Sequence, residues 1–475
     1  MNTVQKIAKN TGLLFISQIV TYIISFLALI YTARYLGVEN FGILSFALSL
    51  AGILIIFTDI GLSTLMTREL ARNRSMVKEY TGNVIILKII LSAATIIFSM
   101  LLIYFVYDNQ TIEVVFLIIL SYVLNSFSQM FYSIFQAQES MEYQSLGQVL
   151  NSIFLFLGII GAIYFKLNIL WFAMAYVITS GIITCYTIII YRKMFSFPKI
   201  RFNPKFSKKI IKEALPLSLA IIFSTIAFRN DTVMLSFMVG NTAVGWYTAP
   251  YRLIEALMFI PAVFTAAIYP VASNFYVSSH DSLKVVYKKS IEYLTIVSIP
   301  IVVIATLLAN EIILLIYGSQ FTESVIALQI LIWSIPFIFL AYVFSTMMIS
   351  TNKQNLALKI VIVSMILNIL LNLIFIPIYT YVASSLITVL TELTDFILCL
   401  FFLSKYLYKI EIGKIIFKPI IAGFIMGLFI YYVTIPILIL IPAALIVYLI
   451  ILIFLKTFSK EDIDILKQIM GNRAK

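Results

Sequence analysis

Charge is scarce in this chain. Lys, Arg, Asp and Glu make up 11% of its 475 residues, against about a quarter in soluble domains, which excludes a soluble globular fold. Histidine occurs once, at His280, so no His-cluster metal site and no H-E-x-x-H helix can be written. The two cysteines, Cys185 and Cys399, lie inside apolar runs. They supply neither a disulfide framework nor a metal spacing and read as small hydrophobes in helix packing. No G-x-x-x-x-G-K-[S/T] phosphate loop and no G-x-S-x-G elbow occurs, so ATP hydrolysis and serine-hydrolase chemistry lack their usual residues. Short loops leave no room for an extramembrane catalytic domain. No catalytic residue, metal ligand or bound cofactor is expected.

What the chain does contain is hydrocarbon. It is 62% hydrophobic with a mean hydropathy of +1.05, and apolar runs follow one another almost end to end. About 20 apolar residues cross the roughly 30 Å of bilayer hydrocarbon, and fourteen such spans are predicted. The fold class is therefore an all-α polytopic membrane protein. A membrane barrel would show alternating segments of about 10 residues, and none is visible. The net charge of +12 could suggest nucleic acid, but its placement points elsewhere. With the amino terminus inside, the inner segments and inner span ends collect 28 of the 33 Lys and Arg, the outer loops two, Arg34 and Lys166, and the spans three. That asymmetry follows the positive-inside rule and predicts both termini in the cytoplasm. Lys6 and Lys9 precede a full-length span rather than a short cleavable one. Trp171 and Trp246 fall at predicted outer span ends, where aromatic belts sit.

The longest inner segment, residues 192–212, holds eight basic residues and two prolines. It divides the chain into an N-terminal lobe at 1–195, a basic cytoplasmic linker at 196–212, a C-terminal lobe at 213–405, and spans 13 and 14 with a tail at 406–475. The lobes echo one another. Gly37 and Gly42 after span 1 align with Gly240 and Gly245 after span 7, at the same five-residue step and an offset of 203 residues. A six-plus-six parallel repeat is the reading, a plan common among secondary transporters. Proline is absent before Pro198, whereas Pro216, Pro250, Pro261, Pro270, Pro300 and Pro336 begin or interrupt spans. Kinked helices, static or gating, are expected in the second half.

Against this background the polar residues inside spans stand out. Residues 216–255 begin as an apolar helix, then place Arg229, Asn230 and Asp231 at bilayer depth, pass a predicted turn at 240–250, and add Arg252 and Glu255. Each buried ion costs several kcal/mol on insertion scales, so such groups line wet interiors or pair with one another. Arg229 and Asp231, two apart, point to nearly opposite sides of a helix. Arg252 and Glu255, three apart, share a face and can pair. Elsewhere Glu392 and Asp395 lie one turn apart in span 12, a functional or pairing position. Asp59 ends span 2 as a cap, an ion pair or a functional carboxylate. Lys88 sits within snorkelling reach of the inner surface, Gln18 lies in span 1, and Arg34 falls in a predicted outer loop. Uncharged stripes recur at helical spacing, including Ser121, Asn125, Gln129, Tyr132 and Gln136 in span 4 and Ser364, Asn368 and Asn372 in span 11. They read as hydrogen-bonded helix packing or as a cavity wall, with packing the reading for Ser, Thr and Asn.

Several local motifs occur in order: R-Y-L-G-x-x-x-F-G at 34–42, D-I-G-L at 59–62, R-E-L-A-R at 68–72, L-P-L-S at 215–218, R-N-D-x-x-x-L at 229–235, V-G-N-x-A-V-G-W-Y-x-A at 239–249 and Y-G-S-Q-F at 317–321. Together they resemble the prokaryotic polysaccharide-repeat (O-antigen and exopolysaccharide) flippases. These sit in the superfamily that also holds multidrug extruders and peptidoglycan-lipid flippases. The resemblance implies two six-helix lobes around a central cavity, in the cytoplasmic membrane of a prokaryote. It further implies flipping of a polyprenyl-pyrophosphate-linked oligosaccharide by alternating access, with polysaccharide polymerase or glycosyltransferases as functional partners and no nucleic acid. Arg229, Asp231 and Arg252 would line the second lobe. The expected substrate-binding set is Arg229, Arg252, Asp231, Glu255, Arg34, Lys88 and Gln18. Na⁺ or H⁺ coupling would use Asp59, Asp231, Glu392 or Asp395. A cation-coupled multidrug extruder and a peptidoglycan-lipid flippase are the alternatives.

Overall fold

The computed structural model describes residues 3–195 and 203–458. Most of the predicted linker's first part, 196–202, and the tail beyond 458 lie outside the described residues. The described residues form helices without a strand. Eleven of those helices are long and apolar enough to cross a membrane, or twelve when the bent pair Pro204–Pro216 and Ile221–Met238 counts as one span. Two of them, Gly12–Asp59 at 48 residues and Gln354–Tyr406 at 53, are about twice the length one crossing needs. Each contains a backbone break, at Gly37 (φ 72°) and at Thr380 (φ 53°). Dividing both there would bring twelve to the fourteen spans expected. The chain separates into two compact units, residues 1–249 with 369–381, and residues 250–368 with 382–475.

In the first unit the helices are α1 (Thr3–Leu54), α2 (Ile56–Asp59), α3 (Leu62–Arg72), α4 (Val77–Ile103), α5 (Asn109–Ala137), α6 (Met141–Tyr164), α7 (Ile169–Met194), α8 (Pro204–Met238) and the start of α9 (Asn241–Leu257). α5 packs against α7 and α1, and α1 against α6 and α8. The predicted loops at spans 1–2 and 7–8 shrink almost to their glycines. Helix resumes at Val38 after Gly37 and at Asn241 after Gly240 (φ 116°), so Arg34 lies in the helix α1 and not in a loop, and 241–250 is helix rather than turn. The reason is steric: a single residue at positive φ reverses the chain, and glycine adopts it without a β-carbon penalty. The two corners then pack on one another. A β-carbon at Gly42 would lie 1.8 Å from the Asn241 carbonyl oxygen, and one at Gly245 would lie 2.2 Å from the Val38 carbonyl oxygen. Val38 and Asn241, like Gly42 and Gly245, are 203 residues apart. The contact is therefore reciprocal, the signature of a two-fold relation between equivalent patches. Helix breaks repeat at the same offset, at Ile55 and Met258.

In the second unit α10 (Phe259–Ser278), α11 (His280–Leu307), α12 (Ala309–Ile316), α13 (Ser324–Leu331) and α14 (Ile335–Ser350) precede most of α15 (Gln354–Tyr406), followed by α16 (Ile412–Tyr432) and α17 (Ile437–Phe454). α11 packs on α14 and α16, and α16 on α17. Prolines lie inside α8, α9, α10 and α11. The pair on either side of Pro216 is bent by 63°, as a lost backbone hydrogen bond and a ring clash require.

Candidate functional site

In the first unit the polar groups of α8 divide between its two sides, as their spacing requires. Asp231 is 4% exposed. Its carboxylate accepts from the Tyr247 hydroxyl at 2.8 Å and from the Asn372 amide at 2.7 Å, so it ties α8 to α9 and to the 369–381 segment of α15. A carboxylate at bilayer depth needs such donors to offset its lost hydration. Asn372 was legible as part of the span 11 stripe. Tyr247 was not, because the stretch around it reads as a turn.

Arg229 looks the other way. It is half-buried, and its Nε lies 3.5 Å from where a Gly52 β-carbon would sit. Among the described residues it makes no ion pair or hydrogen bond. It is a guanidinium within an apolar span, given room by a residue without a side chain. Gly52 gave no motif signal. At the 203-residue offset it corresponds to Glu255, so the first repeat offers space where the second carries charge.

Lys88 and Asp59 form a pair that sequence reasoning did not join. Lys88 is fully buried, and its Nζ lies 2.6 Å from Asp59 Oδ1. It does not snorkel. The same carboxylate accepts from the Ser63 hydroxyl at 2.7 Å and from the Ser63 amide at 3.3 Å. Asp59 thus reaches across the left-handed residues Ile60 and Gly61, where the span breaks, to bind Ser63 in the first turn of α3. The ammonium is held inside the unit because the Asp59 carboxylate offsets its lost hydration. Gln18 and Arg34 are exposed on α1.

In the second unit Arg252 and Glu255 pair as their spacing suggested, Nη1 to Oε2 at 2.6 Å, with side chains 15% and 27% exposed. Tyr317 of the Y-G-S-Q-F segment is buried and lies within electrostatic reach of both. Asp395 accepts a hydrogen bond from Ser364, which joins the two halves of α15. Glu392 sits one turn away. Among the described residues no group of three His, Cys, Asp or Glu side chains could hold a metal ion.

Comparisons with known proteins bear on the family and the fold. The sequence model of the family described as "Polysaccharide biosynthesis protein" matches residues 7–276, and that described as MatE matches residues 216–374. The chain is 26% identical over 399 residues to a "Putative O-antigen transporter" of Escherichia coli (strain K12), covering 78% of this chain and 90% of that protein. It is 21% identical over 419 residues to the "Capsular polysaccharide biosynthesis protein CapF" of Staphylococcus aureus, covering 84% and 99%. Among solved structures, the lipid II flippase MurJ in an inward closed conformation superposes with a TM-score of 0.74 at 18% identity, over 94% of this chain and 99% of that one. At that identity the likeness concerns the fold. The polysaccharide biosynthesis model alone matches more than half of the chain, over the repeat corners, the helix breaks and both arginines described above: this multi-pass membrane protein belongs to the polysaccharide biosynthesis protein family.

Proposed function

We propose that the chain is a flippase. It moves a polyprenyl-(pyro)phosphate-linked oligosaccharide repeat across the cytoplasmic membrane of a prokaryote, by alternating access, for surface polysaccharide biosynthesis. The observation that carries this reading is Arg229, a guanidinium within an apolar span with no anionic partner among the described residues and a glycine opposite to give it room. A pyrophosphate supplies the missing anion, and the guanidinium fork suits its oxygens. Arg252 of the second unit is the other arginine proposed for the substrate, and Glu255 holds it until an anion competes. Support comes from the family, from relatives described by O-antigen transport and capsular polysaccharide biosynthesis, and from a fold shared with a lipid II flippase.

On this reading the protein is a transporter rather than an enzyme, with both termini in the cytoplasm. The reactions that must precede it build a glycan on a polyprenyl phosphate, and those that follow consume that glycan outside. A Na⁺ or H⁺ gradient drives the cycle through one of the acidic groups Asp231, Asp59, Glu392 or Asp395.

The test is flipping of fluorescent undecaprenyl pyrophosphate in proteoliposomes. The wild-type protein should accelerate exposure of the probe to an external quencher, and Arg229→Ala with Arg252→Ala should lose about tenfold or more of that rate, the scale of one strong charge-assisted contact. Unchanged flipping by the double variant would end the assignment of the arginines. Efflux of cationic drugs with no lipid flipping would favour the multidrug extruder.

A further inference from the structure

The polar stripe on span 4 does not behave as one packed seam. Ser121 donates to the Ile118 carbonyl, Ser128 bonds Thr184, and Gln136 donates to Gln144 at 2.9 Å. These groups are consumed by helix packing. Asn125 and Gln129 are not. α5 is among the most enclosed spans, with 56% of its apolar window buried. From residue 117 to its end it exposes two side chains, and both are primary amides, Asn125 and Gln129. Neither makes a hydrogen bond among the described residues.

Lipid cannot be what they face. An amide in hydrocarbon without a partner loses its hydration with nothing to offset it, and the apolar outer surfaces of this unit look different. Beyond its first turn, which exposes Lys78 and Glu79, α4 exposes Ile89, Ile90, Ala93, Ala94, Ile97, Phe98 and Leu101, all apolar. The neighbouring helix α1 exposes two opposite faces. One carries Ile16, Ile23 and Leu27, exposed by 61%, 57% and 42%. The other carries Phe15, Gln18, Tyr22 and Ser25 at steps of three and four, two aromatic rings interleaved with two neutral polar groups. α1 packs against α5, and its polar face and the two amides of α5 share the chemistry of a surface in contact with water. No charged residue occurs in α1 between 10 and 33 or in α5 between 114 and 137.

From this we infer that Asn125 and Gln129, with Gln18 and Ser25, form a neutral hydroxyl-recognition surface in the first unit, and that its ligand is the uncharged, polyhydroxylated glycan portion of the transported lipid. The inference rests on the flippase reading and deepens it. Each amide offers one acceptor and two donors, so it can bridge neighbouring hydroxyls that both give and take protons. A phosphate would find no cation on this surface, and a drug cation no carboxylate. The arginines hold the phosphate, and these amides read the sugar.

The experiment uses the full-length protein in nanodiscs and two probes. One is undecaprenyl pyrophosphate without sugar. The other is the lipid-linked glycan extracted from host membranes depleted of this protein. Asn125→Ala with Gln129→Ala should weaken binding of the lipid-linked glycan about tenfold and leave the sugar-free lipid within about twofold, the worth of one or two hydrogen bonds. The exchange Asn125→Gln with Gln129→Asn, which keeps both amides, should retain part of the glycan affinity. Equal loss for both probes, or no loss for either, overturns the inference while the flippase reading stands. Failure of the wild-type protein to bind either probe overturns both.

Discussion

A single buried ammonium shows how much a residue's surroundings decide. Lys88 is expected from its position to snorkel, yet it is fully buried against Asp59, where a carboxylate 2.6 Å away replaces the hydration it gives up. Removing one partner of such a pair leaves a charge without compensation. Asp59→Asn should therefore lower stability by about 3–5 kcal/mol. Lys88→Met should cost less, since Asp59 is 28% exposed and keeps its bonds to Ser63. The double variant should recover much of the Asp59→Asn loss. Thermal unfolding of detergent-solubilised protein checks the cycle, and additive losses would show that the pair is not coupled. The residue scale is also where the sequence was least legible. It nominated Arg229, Asp231, Asp59 and Lys88 singly, but partners such as Tyr247, Asn372 and Gly52 lie far away in the chain or carry no polar signal.

At the scale of elements, helix ends and corners follow local rules. α5 begins at Asp108, whose carboxylate accepts from the Thr111 hydroxyl at 2.7 Å and from the amides of Gln110 and Thr111. Partial burial works against ionisation, but these hydrogen bonds outweigh it and hold the carboxyl below its ordinary range. A folded-state pKa below the unfolded one means stability that is present above the unfolded value and lost as pH falls through the folded one. Asp108→Ala should cost about 1 kcal/mol at neutral pH, with the difference from wild type shrinking in acid. Melting curves between neutral and acidic pH measure it. At the two corners, Gly42→Leu or Gly245→Leu would drive a side chain into the partner corner's backbone, 1.8 Å and 2.2 Å away at the β-carbon. Each should sharply reduce the folded yield on size-exclusion chromatography. Gly12→Ala, where a β-carbon meets nothing within 4 Å, should be tolerated.

For the whole molecule the testable quantity is orientation. The placement of 28 of 33 basic residues on one side predicts that Lys166, between α6 and α7, faces outward and that Lys353, between α14 and α15, faces the cytoplasm. With both native cysteines replaced by Ala, Lys166→Cys should react with a membrane-impermeant maleimide in intact cells. Lys353→Cys should react only after permeabilisation. The reverse pattern would invert the topology and with it the direction of transport proposed here. The 203-residue repeat belongs to this scale too. It was visible as two glycine pairs, and it returned as a reciprocal backbone contact and as matched helix breaks at Ile55 and Met258.

By itself the sequence determined that the chain is an all-helical membrane protein with a doubled plan, because span length, loop charge and glycine spacing are periodic or additive and each residue contributes independently of its partners. Its motifs also pointed to the family that the comparisons then showed. Tertiary structure alone decided which polar groups find partners on neighbouring helices and which find none among the described residues. Asp231 is held by hydrogen-bond donors and Lys88 by a carboxylate from other helices, whereas Arg229, Asn125 and Gln129 have no such partner among the described residues. The reason is physical: the cost of a polar group in a membrane depends on what lies within about 3 Å of it, and that neighbour is set by how helices pack.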